Sequence, residues 1–357
     1  MSSAAIIETA RARKVNETAQ YFAILILAPV LLLACWIGFK LGFENRFSGR
    51  NAAGYSGLVA GPKPSLLFIG SSHTRQSYDA EAIEADTGKS AFVLSYSALD
   101  LNSMDVLLRE LLPDPSHRPA VLVLEAYSAK LGRYPEIGDP RLFFDAPPGL
   151  KLKILENYLH YHPGFSSWLD VFDLVVNRGT DQIVTYPLNS RVLAGMSYKG
   201  SYRGHTIQGL TLAEFHSLQA DIPPGTPDPY QLAAFRDIVS LTRQYGVKLV
   251  LAESPMPQPI SSRPEIQSLK AAFREQAGKF NLPYLDGDAI FPIDEPMLFA
   301  DESHVSTAGR ALYTARMVSY FAPVFGVSQQ LASHRPFAET RPQDSLHQGT
   351  GVSLYRH

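Results

Sequence analysis

Ser65-Leu66-Leu67-Phe68-Ile69-Gly70-Ser71-Ser72-His73 is the stretch on which the fold turns. Four apolar residues in a row, too few for a helix and closed by a glycine, read as a strand ending in a sharp turn. A strand with no polar alternation is covered on both faces, which is the habit of a parallel sheet lying between two layers of helices. Similar runs recur at residues 91–94, 120–124, 247–251 and, more weakly, 282–285. Helical patterns separate them at residues 79–84, 103–112, 230–245, 266–280 and 307–321. Asp79 and Ser306 stand where N-caps belong, and Gly88 and Gly246 stand where left-handed C-terminal residues belong. Strand and helix in alternation predict an α/β three-layer sandwich with right-handed crossovers.

Residues 130–229 interrupt that alternation and carry many aromatics, among them Tyr134, Phe143, Phe144, Tyr158, Tyr161, Phe165, Trp168, Tyr186, Tyr198 and Tyr202. They read as an insertion over the active-site edge, either a lid packing its own small core or a surface for a sugar. Lys199, Arg203 and His205 within it read as ordinary polar loop residues. Upstream, residues 21–39 hold no charged side chain and are apolar all round, so a helix here has no polar face to offer water. At about 1.5 Å per residue it covers roughly 28 Å, the thickness of a bilayer core. The expected order is therefore an N-terminus at 1–20, a membrane helix at 21–43, a Gly-, Ser- and Pro-containing linker at 44–63, an α/β domain at 64–326 and a polar tail at 327–357.

Basic residues stand on both sides of the span, Arg11, Arg13 and Lys14 before it and Lys40, Arg46 and Arg50 after it, so charge alone leaves its orientation open. Leu32-Leu33-Ala34-Cys35 loosely resembles a lipoprotein box, and Cys35 is the only cysteine, which excludes an internal disulfide and a cysteine nucleophile in the soluble part. A net charge of −2 leaves no electrostatic footprint for nucleic acid. His160 and His162 lack the companion ligands of a metal site, so no metal and no cofactor is expected.

Gly70-Ser71-Ser72 lies at the carboxyl end of the first strand, where open α/β sheets bind ligands. A serine there either caps a helix or acts as a nucleophile. Far downstream, Ala300-Asp301-Glu302-Ser303-His304-Val305-Ser306-Thr307 sets an acid and a histidine three residues apart just before a helix. Such a pair can be an exposed first turn or, together with Ser72, a charge-oriented general base: the carboxylate fixes the imidazole tautomer and the imidazole takes the serine proton.

On these two blocks the chain resembles the SGNH, or GDSL-like, hydrolase superfamily, with its Gly-Asp-Ser first block and its Asp-x-x-His before the final helix. The resemblance covers about residues 64–322 without the insertion and implies an SGNH/flavodoxin-like sheet. It also implies Ser72 as nucleophile, His304 as general base and Asp301 as orienting acid. Ser71 replaces the family's aspartate. The second block reads Ser95-Tyr96-Ser97-Ala98 without the glycine that donates to an oxyanion, and the third reads Leu124-Glu125-Ala126-Tyr127-Ser128 without the asparagine. Oxyanion or substrate contacts are therefore expected from Ser71, His73, Ser97, Tyr127 or backbone amides.

With Gly-Ser-Ser and an N-terminal membrane helix, the chain resembles the D-alanyl transfer protein of teichoic acid synthesis and the O-acetylation proteins of alginate and related exopolysaccharides. That likeness implies a serine esterase or O-acyltransferase acting on a polysaccharide or an acylated small molecule. It further implies a multipass membrane acyltransferase as partner, and a soluble domain on the periplasmic or outer side of the inner membrane. The alternative expectation is a degenerate scaffold of the same fold that binds polymer or partner subunits without turning over an ester.

Overall fold

The computed structural model describes residues 25–36, 38, 54–164, 166–171, 197–202 and 206–327. Five parallel strands form the central sheet: β1 (Leu66–Gly70), β2 (Ala91–Ser95), β3 (Val121–Glu125), β6 (Lys248–Ala252) and β7 (Tyr284–Leu285). Their order is β2-β1-β3-β6-β7, so the chain winds one way from β1 to β2 and the other way from β3 onward. The reversal leaves a crevice at the carboxyl ends of β1 and β3, the place where doubly wound sheets take ligands.

Each strand feeds two cores. Leu67 and Ile69 of β1 pack with Leu94, Leu122, Leu124, Leu249 and Leu251 under the helices Leu101–Leu111, Pro229–Gln244 and Pro264–Phe280. Leu66 and Phe68 point the other way and pack with Val93, Val123 and Val250 under Ala80–Thr87 and Thr307–Phe325. This period-two partition explains why the strands carry polar residues only at their ends, Ser95, Glu125 and Lys248: both faces are covered in between. The expected α/β sandwich is present.

Helix ends follow local chemistry. Asp79 accepts hydrogen bonds from the amides of Glu81 and Ala82, and Gly88 ends the same helix at φ 66°. Ser306 accepts from Gly309 and so starts the Thr307–Phe325 helix at a defined residue. That start matters because Asp301 and His304 lie in the turn just before it.

The described part of the insertion holds helices and a short hairpin. Pro148–Tyr161 adds Leu150 and Ile154 to the core beside Leu101–Leu111. A short hairpin, β4 (Ser197–Tyr198) and β5 (Ser201–Tyr202), closes the outer edge of β2, where Val93 donates its amide to the Lys199 carbonyl at 2.8 Å. Gly200 is required at that contact, since a Cβ there would lie 1.8 Å from the Val93 carbonyl oxygen. Phe165, Tyr186, Arg203, His205, the linker up to residue 53 and the tail from 328 lie outside the described residues.

Residues 25–36 are helical with exposed apolar side chains, Leu25 at 70% and Leu32 at 72%. Among the described residues no helix is long and apolar enough to cross a membrane; both ends of the 21–43 segment lie outside them.

Candidate active site

The turn after β1 is built around Glu125 at the end of β3. Its buried carboxylate accepts the Ser71 amide at 2.6 Å, the Ser71 hydroxyl at 3.1 Å and the Thr74 amide at 3.0 Å. Burial pushes the Glu125 carboxyl above its ordinary value, and the Ser71 and Thr74 bonds pull against it. Gly70 is what lets the strands approach. A Cβ on Gly70 would lie 2.0 Å from Thr74 Oγ1 and 2.5 Å from Glu125 Cβ. The acid at the end of β3 thus binds the turn that follows β1.

Ser71 is fully buried and caps the Ser72–Ser77 helix, accepting the His73 amide at 3.3 Å. With the amides of Ser71, His73 and Thr74 taken, the amide of Ser72 is the donor of this turn with no partner among the described residues.

Ser72 and His304, 232 positions apart, meet with Oγ and Nε2 at 2.8 Å. His304 Nδ1 lies 2.9 Å from both carboxylate oxygens of Asp301. An ionised carboxylate only accepts, so Nδ1 carries the proton and Nε2 presents its lone pair to the Ser72 hydroxyl. The Asp301 carboxylate also accepts the amides of Ser303 at 2.8 Å and His304 at 2.9 Å, closing the turn before the helix. Burial acts to raise the Asp301 carboxyl, but the bonds from His304 and Ser303 outweigh it and hold it at about 2. The His304 side chain keeps 18% of its surface exposed, so the trio is reachable from solvent.

His73 lies behind this trio. Its ring stacks on that of His304 at 4.7 Å and 22°, and lies against Tyr127 at 3.8 Å, tilted by 30°. On the other side, Ser97 is held by its neighbours. Its amide donates to Asp139 at 2.7 Å, and its hydroxyl accepts Arg75 at 3.2 Å and Arg141 at 3.1 Å. Asp139 is buried, which acts to raise its carboxyl, but Arg141 beside it dominates and keeps it below its ordinary value.

The structure thus brings Ser72, His304, Asp301, His73 and Tyr127 together. It turns the Ser71 hydroxyl inward to Glu125 and commits the Ser97 amide to Asp139. Glu125, Asp139, Arg75 and Arg141 were not singled out by sequence reasoning for their parts here, because their partners come from four separate segments. No group of three or more metal-ligating side chains converges among the described residues. His162 gives its Nε2 to the Pro135 carbonyl contact at 2.7 Å and stacks on Tyr158.

No family model and no curated protein matches the chain. Among solved structures it is similar to TesA, at 13% identity over 72% of this chain and 98% of that one, with a TM-score of 0.36. It is also similar to a putative acylhydrolase from Bacteroides fragilis NCTC 9343, at 13% identity over 79% of this chain and 96% of that one, with a TM-score of 0.38. At such scores the likeness carries no argument about activity, which must come from the residues themselves.

Proposed function

We propose that the chain is a serine acyl-ester enzyme of the SGNH type, and that Ser72, His304 and Asp301 are its nucleophile, general base and orienting acid. The observation that carries this reading is the 2.8 Å contact between Ser72 Oγ and His304 Nε2, backed by Asp301 on Nδ1. A serine hydroxyl is a poor nucleophile near neutrality unless a base is aligned on its proton. In the proposed cycle Ser72 Oγ attacks the acyl carbonyl while its proton passes to His304 Nε2. The leaving alcohol takes that proton, and acyl-Ser72 remains. His304 then deprotonates the acceptor hydroxyl, which attacks the ester, and the imidazolium returns that proton to Ser72 Oγ as the acyl group leaves. The Ser72 amide is placed to serve the oxyanion as one donor.

Water as acceptor makes the protein an esterase and a sugar hydroxyl makes it an O-acyltransferase. We favour an envelope or extracellular polysaccharide, because residues 21–43 are apolar enough to tether the domain to a membrane and a tether suits a polymer substrate. On this reading the domain faces the periplasm or cell exterior, beside a multipass acyltransferase. A reporter fused after His357 should be active only on the outer side; activity on the cytoplasmic side would reverse the orientation.

One observation favours a second reading, a scaffold that binds polymer or partner subunits without catalysis. The Ser97 amide, the second-block donor by position, is already bonded to Asp139. The two readings part in one assay. Full-length protein is expected to hydrolyse a small acetyl ester and to be labelled at Ser72 by a fluorophosphonate, and Ser72→Ala to lose at least about 1,000-fold in turnover. Equal rates in the two proteins and no labelling would leave the scaffold.

A further inference from the structure

We propose that His73 is a positioning residue that fixes the plane of the His304 ring. The inference rests on the acyl-transfer reading for its purpose, but on geometry for its content. His304 makes two polar contacts, to Asp301 through Nδ1 at 2.9 Å and to Ser72 through Nε2 at 2.8 Å, and an imidazole directs its N–H and its lone pair within the ring plane. They set where the two nitrogens point and leave the faces of the ring to be held by packing. Tipping the ring out of its plane about Nδ1 swings the Nε2 lone pair off the Ser72 proton while the Asp301 contact acts as the pivot. A flat surface against one face of the ring stops it, and His73 supplies that surface at 4.7 Å and 22°.

The platform is itself stiff. His73 is 7% exposed and lies between His304 and the Tyr127 ring, which backs it at 3.8 Å. It is also the residue after Ser72 on the same helix, so nucleophile and platform move as one piece. Its Nδ1 is buried without a hydrogen-bond partner, so packing rather than a polar bond at that atom holds the ring in place. Burial, reinforced by the neighbouring His304, drives its imidazole well below the ordinary value, with Asp301 and the Ser303 backbone pulling the other way. An uncharged ring is what the reaction needs beside it, because His304 becomes positive when it takes the Ser72 proton, and a second cation stacked on it would oppose that step.

The test compares two substitutions in the full chain, His73→Phe, which keeps a flat ring, and His73→Leu, which keeps bulk without one. His73→Phe is expected to hold kcat within about threefold, and His73→Leu to lose about 30-fold in kcat with KM unchanged within twofold. A spectroscopic readout runs in parallel, because the strongly deshielded Nδ1 proton of His304 should give a sharp NMR signal in His73→Phe and an exchange-broadened one in His73→Leu. Equal kcat in the two variants, or a change confined to KM, overturns the proposal. Where wild-type protein turns over no ester, the acyl-transfer reading falls and the proton signal alone decides the stack: equally sharp signals in both variants overturn it. Should His73→Leu fail to fold, Tyr127→Leu removes the backing ring and is judged by the same signal.

Discussion

The two ends of the sheet's carboxyl edge treat charge in opposite ways. At the β1/β3 end a hydroxyl, an imidazole and a carboxylate line up toward solvent, with 18% of the His304 side chain still exposed. At the β6/β7 end Lys270 is 1% exposed and lies 2.7 Å from Asp288, 3.0 Å from Asp286 and 3.4 Å from Glu253. Tyr284 and the Ser128 amide complete the Glu253 carboxyl at 3.0 and 3.2 Å, and Arg274 reaches Asp286 from outside. The second cluster holds more charge than the first, yet its central lysine and Glu253 are buried and its charges are met by one another. Charge alone therefore does not mark a site; an aligned base and nucleophile with one open side does.

The sharpest way to break this contrast is to remove the central cation of the closed cluster. Lys270→Met leaves three carboxylates facing one another in a buried space, and the expected loss is about 3–5 kcal/mol of stability. Denaturant unfolding measures that loss, while turnover per folded molecule should stay within about twofold because nothing in the cluster touches Ser72 or His304. A loss below about 1 kcal/mol, or a fall in kcat at full folding, would show that the two ends are not divided as described.

A smaller effect comes from pH. Burial raises the Glu253 carboxyl from 4.5 to about 7, and the nearby Asp288 and Asp286 reinforce the rise. Lys270 pulls the other way, but its charge is already met by two carboxylates closer than Glu253, so the upward direction prevails. The native state thus keeps a proton that the unfolded chain releases. The stability this group contributes is complete below pH 4.5 and is lost as pH rises through about 7. Wild-type protein should lose on the order of 2–3 kcal/mol from this source across that window, and Glu253→Gln, which cannot ionise, should lose none of it. Parallel melting curves from pH 5 to 8 would refute the assignment by showing the same slope in both. Asp301 runs in the opposite sense. Held at about 2, it stabilises the fold above its unfolded value of 3.8, and that contribution is lost as pH falls through 2.

The same contrast explains what could be read in the sequence. The apolar runs of β1, β2, β3 and β6 announce a doubly covered sheet because their burial is a local property of four or five residues. Asp79, Ser306 and Gly88 announce helix ends for the same reason. Ser72, Asp301 and His304 were legible because each stands at a fixed offset from a strand end or helix start. Glu125 was visible only as an acid at a strand end, since its function as a lock depends on β1 and β3 being neighbours. Asp139 and Arg141 belong to an insertion with no period to follow, and Lys270 looks like any other lysine of an amphipathic helix until Asp286 and Asp288 are brought to it. Long-range polar pairing has no periodicity, so sequence pattern does not reveal it.

Ser71 offers the finest test of where the open site ends and its supporting structure begins. It was expected among the oxyanion or substrate contacts, yet its hydroxyl is fully buried, accepting the His73 amide and donating to Glu125. Ser71→Ala removes a helix cap and one of three bonds to Glu125, while the Ser71 and Thr74 amides continue to hold that carboxylate. The expected cost is about 1 kcal/mol of stability, with kcat reduced less than about fivefold through slight loosening of the turn that carries Ser72. Thermal unfolding and ester turnover measured on the same preparation decide it. A fall in kcat beyond about 100-fold at unchanged stability would mean that the Ser71 hydroxyl acts on the reacting group, and the boundary between the lock and the site would move inward by one residue.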